Sequence, residues 1–226
     1  MNVAVILCGG TGSRMNQELP KQFIKINNKP LFGYAVETFL NANNIDRVLL
    51  VFNHKYEDLY QDYINKFNEG KLELVYGGST RQESVEKAIS FLEDKVSKDD
   101  IILLHDAARP LLNRETIDAN ISKCLETKEP VLTYIKIVDT MMDKKLNLLN
   151  RDNLIAAQTP QTFLFEQLKA IHEFANASNI KSASDDIQLA KMYGLNISLV
   201  MGSRKNIKVT ETEDLELIKL YLRVGD

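Results

Sequence analysis

Gly9, Gly10 and Gly12 fall within four positions, directly after the apolar run Val3–Leu7 and Cys8, and the segment continues through Ser13 to Arg14. Glycine lets a backbone come close to a ligand, and successive N–H groups in such a turn form a nest for anions. Arg14 closes the loop, and Pro20-Lys21-Gln22 follows shortly after. Arginine grips phosphate through two parallel N–H bonds, while lysine adds a compact charge. The segment lacks the Gly-Lys-Ser/Thr ending of a Walker loop. It also has Met15 where a dinucleotide fingerprint needs its third glycine. Phosphate binding by Gly9, Gly10, Thr11, Gly12, Arg14 and Lys21 is therefore one reading. A plain glycine turn with solvated basic side chains nearby is the other.

Further along, Gly77-Gly78-Ser79-Thr80-Arg81 is a second glycine turn. Ser79 stands three residues before Gln82 and Thr80 three before Glu83, so two capping boxes could open a helix that carries Ser84. Asp106 ends another apolar run, Ile101–Leu104. A carboxylate there can orient hydroxyl groups or hold Mg²⁺ near phosphates. Its alternative is an ion pair with Arg109 that shapes the loop. Lys208 lies in the short run Asn206–Val209, where it is either a phosphate contact or an ordinary strand-end lysine.

These residues need a frame that brings them together. Short runs rich in Val, Ile and Leu alternate with stretches of helical period. Strands are expected at Val3–Cys8, Arg47–Phe52, Leu72–Tyr76, Ile101–Leu104 and Val131–Val138, and later at Asn196–Val200 and Asn206–Val209. Helices are expected at Leu31–Phe39, Tyr56–Phe67, Arg81–Leu92, Glu115–Leu125, Leu164–Ala175 and Asp185–Tyr193. A last helix is expected to be capped by Thr210, with Glu213 three residues on. The alternation predicts an α/β domain with a largely parallel sheet, and right-handed crossovers put the ligand-bearing loops on one side. The rhythm breaks over Asp139–Asn153, which is polar and without a clear period. With no linker or repeat, residues 1–226 read as one domain, and 139–153 as a projecting arm.

Composition narrows the classes. The 226 residues suffice for one sizeable core. Hydrophobic residues at 44% and charged residues at 26% are those of a globular chain. A net charge of −3 argues against non-specific nucleic-acid binding. No apolar run is long enough to span a bilayer, and the chain opens in a strand-like run and not a signal-peptide pattern, so a cytoplasmic protein is expected. Cys8 and Cys124, far apart and in apolar contexts, read as structural thiols. His54, His105 and His172 show no metal-ligand spacing.

Taken in order, Gly9-Gly10-Thr11-Gly12-Ser13-Arg14-Met15, Pro20-Lys21-Gln22-Phe23, Gly77-Gly78-Ser79-Thr80-Arg81 with Ser84, His105-Asp106-Ala107-Ala108-Arg109-Pro110, Asp139-Thr140, Arg151, Thr159-Pro160-Gln161 and Asn206-Ile207-Lys208-Val209-Thr210 resemble one family. It is the cytidylyltransferase family of 2-C-methyl-D-erythritol 4-phosphate and ribitol 5-phosphate cytidylyltransferases. The resemblance implies a single α/β domain with a twisted, mostly parallel sheet flanked by helices and a β-arm used for dimerisation. It implies CTP and a small polyol phosphate as substrates, Mg²⁺ as cofactor and a homodimer, with neither nucleic acid nor membrane as partner. Gly78 and Ser84 match positions that contact the base, and Arg81 and Asp106 fall in the nucleotide site. Ser79 stands where the family often has an acidic residue. Asp106, Arg109, Thr140 and Arg151 match acceptor-binding positions, with Arg151 reaching in from the partner subunit.

The implied reaction joins CMP to the acceptor and releases pyrophosphate. Its nucleophile is already a phosphate oxyanion, so no general base is needed. The difficulty lies in bringing two anions together and spreading charge over a five-coordinate phosphorus. Positioning and electrostatic stabilisation by Arg14, Lys21, Lys208 and Mg²⁺ are the expected means. Erythritol-phosphate enzymes commonly have lysine at the position of Met142 and tryptophan at that of Ile155, and Gly9-Gly10 is more typical of the ribitol-phosphate branch. Ala107-Ala108, the Ser84-Val85 helix start and the modest chain length look like the erythritol branch. The balance favours 2-C-methyl-D-erythritol 4-phosphate as acceptor. Ribitol 5-phosphate, giving CDP-ribitol for cell-surface polymers, is the alternative within the class. A non-catalytic nucleotide-binding regulator is the alternative outside it.

Overall fold

The computed structural model describes residues 1–9, 20–67, 70–181 and 183–224. The order of elements is β1 (Asn2–Leu7), β2 (Lys25–Ile26), β3 (Lys29–Pro30), α1 (Leu31–Leu40), β4 (Arg47–Phe52), α2 (Glu57–Ile64), β5 (Leu72–Tyr76), α3 (Arg81–Leu92), β6 (Ile101–Asp106), α4 (Arg114–Thr127) and β7 (Val131–Lys136). There follow β8 (Met141–Met142), β9 (Leu148–Leu149), β10 (Ile155–Leu164), α5 (Phe165–Ala177), α6 (Asp186–Tyr193), β11 (Ser198–Met201) and α7 (Thr212–Val224).

Seven strands form one sheet in the order β11-β7-β10-β6-β1-β4-β5. β1 pairs in parallel with β4 and β6, β4 with β5, and β7 with β11; β10 alone runs antiparallel, between β6 and β7. The central strands are apolar on both faces because helices cover both. Ala4 and Ile6 of β1 pack with Phe32 and Phe39 of α1, Tyr60 of α2 and Ile117 of α4. Val3 and Val5 pack on the other side with Val85 and Leu92 of α3 and Leu168 and Ile171 of α5. This is the buried-strand pattern of parallel sheets, expressed with a period of two. α7 packs separately, its Leu215 and Ile218 joining Ile26, Leu31 and Val209.

From β1 the chain moves outward to β4 and β5, then returns to place β6 on the other side of β1. The strand order thus reverses at the β1–β6 pair, where Leu7 lies opposite Asp106. The loops leaving the carboxyl ends of these two strands flank the crevice in which open α/β sheets bind ligands.

Three expectations are corrected. Asn206–Val209 is not a strand; its backbone runs irregularly, with Val209 N–H bonded to the Ala108 carbonyl. The helix expected over Tyr56–Phe67 ends at Ile64. Thr210 does not cap α7 through Glu213; the Asp214 carboxylate instead accepts from the Thr210 N–H and hydroxyl and from the Glu211 N–H. The arm at 139–153 holds the short β8–β9 hairpin, its turn closed by Asp143, which accepts from the N–H groups of Lys145 and Asn147.

Candidate active site

A cleft of about 380 Å³ opens at the reversal point, lined by Leu7, Cys8, Gly9, Lys21, Gln22, Gly78, Ser79, Thr80, Arg81, Ser84, Asp106, Ala107, Ala108 and Lys208. Its floor is set by β1. The Cys8 carbonyl accepts from Gln22 Nε2 (2.8 Å) and from the Tyr60 hydroxyl (3.1 Å), both buried donors, which fixes the start of the glycine loop. Gly10, Thr11, Gly12 and Arg14 lie outside the described residues.

One wall is the turn before α3. Thr80 caps the helix by accepting from the Glu83 N–H, and Glu83 in return accepts from the Ser79 N–H and hydroxyl. One of the two boxes read from the sequence therefore forms, with its return bond displaced by one residue. Gln82 of the other box instead donates to the Ile180 carbonyl. The Ser84 hydroxyl accepts from the Gly78 N–H (3.2 Å) and donates to the Thr80 carbonyl (2.8 Å). Ser84 thus struts the turn as well as lining the cleft. A side chain at Gly78 would bring its Cβ within 2.2 Å of Glu83 Cβ, and one at Gly77 within 2.8 Å of Ser84 Oγ, so both glycines are required by close packing.

The opposite wall is electrostatic. Lys208 Nζ lies 2.7 Å from Asp106 Oδ2, and Arg81 and Arg109 approach the same carboxylate at 3.9 and 4.0 Å. Burial pushes the Asp106 carboxyl up, but Lys208, Arg81 and Arg109 together override it and hold the group at about 2. Lys21 Nζ donates to the Val209 carbonyl at 2.6 Å, so the two lysines, 187 positions apart in sequence, are brought to one cleft. Arg109 is not simply the ion-pair partner of Asp106. It donates to the carbonyls of Asn206 and Ala157 and so ties the 206–209 segment to β10.

Behind Asp106 runs a chain of hydrogen bonds. The Asp106 N–H donates to Thr159 Oγ1 (3.1 Å), which lies 3.1 Å from His105 Nδ1, and His105 Nε2 lies 3.0 Å from the Arg109 carbonyl. A carbonyl can only accept, so Nε2 carries the hydrogen and Nδ1 takes the Thr159 proton. Burial lowers the His105 imidazole to about 4, which keeps it neutral.

Residues 2–224 match the family described as 2-C-methyl-D-erythritol 4-phosphate cytidylyltransferase (IspD). The chain belongs to this family of cytidylyltransferases. It is 37% identical to ribitol-5-phosphate cytidylyltransferase of Lacticaseibacillus paracasei, over 99% of this chain and 98% of that one. It is equally 37% identical to 2-C-methyl-D-erythritol 4-phosphate cytidylyltransferase of Thermosipho africanus, over the full length of both. A solved structure of 4-diphosphocytidyl-2C-methyl-D-erythritol synthase from Anaerococcus prevotii superposes with a TM-score of 0.83 at 26% identity, covering 99% of this chain and 98% of that one.

Like its family, the chain is a nucleotidyltransferase enzyme, and its α/β domain is the family's fold. Next to the main cleft of this cytidylyltransferase is a smaller, polar hollow of about 190 Å³. It shares Arg81, Asp106 and Lys208 with the cleft and adds Arg109, Gln158, Thr159, Gln161 and Asp185 among others. Thr140 and Arg151 line neither. Both are exposed on the arm, where Arg151 donates to the Val138 carbonyl at 2.7 Å. Sequence reading missed Asp186 and His172, buried behind Arg81. A lone acid at a helix start and a lone histidine on an apolar face give no pattern that links them. No helix among the described residues is long and apolar enough to cross a membrane, and both cysteines are free and buried.

Proposed function

We propose that the enzyme transfers CMP from CTP to a polyol phosphate and releases pyrophosphate, with 2-C-methyl-D-erythritol 4-phosphate as acceptor. The observation that carries this reading is the convergence of Lys21, Lys208 and Asp106 opposite the Gly77–Ser84 turn in one cleft. A base seated in a backbone turn is told from its relatives by its hydrogen-bonding edge. The triphosphate then extends toward the glycine loop and the two lysines. Arg14, Lys21 and Lys208 stabilise the charge that develops on the α-phosphate. Arg109 and the polar hollow beyond Asp106 suit the hydroxyl groups and phosphate of the acceptor.

Among the described residues no group of three or more His, Cys, Asp or Glu side chains is arranged to hold a metal ion. Magnesium in nucleotide sites is often held by one or two carboxylates plus phosphate oxygens, and Asp106 fits as that carboxylate. When bound, the ion would neutralise charge on the triphosphate. A second reading, ribitol 5-phosphate as acceptor, is favoured by Met142, Ile155 and the Gly9-Gly10 pair.

Thr140 and Arg151 reach the acceptor only if the arm of one subunit meets the cleft of another, which supports a homodimer. The arm's exposed Met142, Leu146, Leu148 and Leu149 supply apolar surface for that contact. The free thiols suit the cytoplasm. The experiment is a turnover assay with CTP and a panel of polyol phosphates. It identifies the acceptor by kcat/KM, and the reading fails if no polyol phosphate is used.

A further inference from the structure

Arg81 faces both the main cleft and the polar hollow. Its Nη1 lies 2.5 Å from Asp186 Oδ2, whereas its Nε is 3.9 Å from Asp106 Oδ1. The guanidinium is therefore committed to Asp186 and only leans toward Asp106. Asp186 opens α6 and is 1% exposed. Its second oxygen lies 3.0 Å from His172 Nε2, which must carry the hydrogen because an ionised carboxylate only accepts. Burial pushes the Asp186 carboxyl up, but Arg81 and then His172 hold it below its ordinary value.

A charged group sunk this deeply is a poor device for stability, since well-packed apolar residues often serve as well or better. The surroundings offer such packing: Ile171, Ala175, Ile187 and Ala190 belong to the core on this side of the sheet. What the pair does achieve is geometric. Asp106 Oδ2 is taken by Lys208, while among the described residues no hydrogen bond reaches Oδ1. Released from Asp186, Arg81 would have a second carboxylate within reach, and its planar fork suits a tight two-point pair. That pair would close Oδ1 to any ligand.

We propose that Asp186, oriented by His172, is a positioning residue that holds Arg81 back from Asp106 and so keeps Oδ1 open to the substrates. This rests on the reading of Asp106 and Arg81 as parts of the substrate site. The test is a double-mutant cycle of Asp186→Asn and Arg81→Ala, read by kcat/KM for CTP and acceptor and by thermal melting. Asp186→Asn alone should lower kcat/KM by about 10-fold or more in folded protein, with Asp186→Glu recovering part of the loss. Added to Arg81→Ala it should cost less than about twofold more, because the group it positions is gone. Should Asp186→Asn not fold, His172→Gln enters the same cycle, with a smaller loss and the same non-additivity. Losses that multiply, or near-normal kcat/KM for folded Asp186→Asn or, in its place, His172→Gln, would overturn the positioning role. An Arg81→Ala enzyme of normal activity would remove Arg81 from the substrate contacts but not overturn the positioning role, since an absent guanidinium also leaves Oδ1 open; an impaired Arg81→Ala with multiplying losses overturns the positioning role and leaves the site reading standing.

Discussion

Lys208 carries the charge closest to Asp106, and with Lys21 it brings two ammonium groups to the wall of one cleft. A reaction between two anions depends on such charge being in place beforehand. Lys21→Ala and Lys208→Ala should each lower kcat by roughly 10²–10³, the usual cost of losing one preorganised stabiliser. Near-normal kcat in a folded variant would remove that residue from the mechanism. His105 gives a pH prediction. Its folded-state value is depressed from 6.5 to about 4, so the unfolded chain binds the extra proton first on acidification. Its contribution is fully present above pH 6.5 and is lost as the pH falls toward 4, by roughly 3 kcal/mol across the window. Denaturant melts from pH 7 to 4 should show this slope, and His105→Gln should flatten it. An equal slope in the variant would contradict the assignment. At this scale the types and order of Gly78, Ser84, Asp106 and Lys208 single them out, and the structure brings all four to one cleft. The Arg81–Asp186–His172 set was not legible in the sequence, because it depends on how α3 packs beside α5 and α6.

The capping chemistry of α3 could be read from Ser79, Thr80 and Glu83, since it is local and needs only a few neighbouring residues. β10 could not. Thr159-Pro160 argues against a strand inside a sheet, because proline lacks the N–H a ladder requires. The sheet accommodates it by a register shift between Ala157 and Gln161, and side chains make up the missing bonds. Asn120 of α4 donates to Thr133 Oγ1 (2.8 Å), Thr133 donates to the Pro160 carbonyl (2.6 Å), and the Thr162 hydroxyl donates to Asn120 Oδ1 (3.1 Å). All three side chains are buried, and the network joins α4, β7 and β10 by direct bonds. Asn120→Ala should destabilise the protein by roughly 1–3 kcal/mol for each polar group left unpaired. Urea unfolding measures this, and a change under about 0.5 kcal/mol, the scale of an ordinary surface substitution, would show that the network bears little of the load. The opposite error, a strand expected at Asn206–Val209, has a related cause. Val209 is buried, and Ile207 partly buried, against α7 and the β2–β3 hairpin, so the run is apolar without joining the sheet.

The alternation of strands and helices made the α/β architecture legible, and the sheet's reversal at β1–β6 explains why loops so distant in sequence meet. The arm is a different case, because its sequence shows only a break in rhythm. It holds Leu146 and Leu148 at 79% and 70% exposure, apolar surface of the kind that suits the subunit contact proposed above. If Arg151 serves the acceptor of a neighbouring subunit, mixing inactive Arg151→Ala and Lys21→Ala proteins should restore activity, since some hybrid dimers carry one intact site. No recovery despite verified subunit exchange would rule the cross-subunit role out. The whole arrangement serves one reaction, and product analysis tests it most directly. With CTP, Mg²⁺ and 2-C-methyl-D-erythritol 4-phosphate or ribitol 5-phosphate, the enzyme should release pyrophosphate and form the CDP-polyol in equal amounts. UTP, ATP and GTP should fall well behind, because each polar group of the base turn left unpaired costs roughly 1–3 kcal/mol. Comparable kcat/KM with UTP, or no CDP-polyol from either acceptor, would contradict the account.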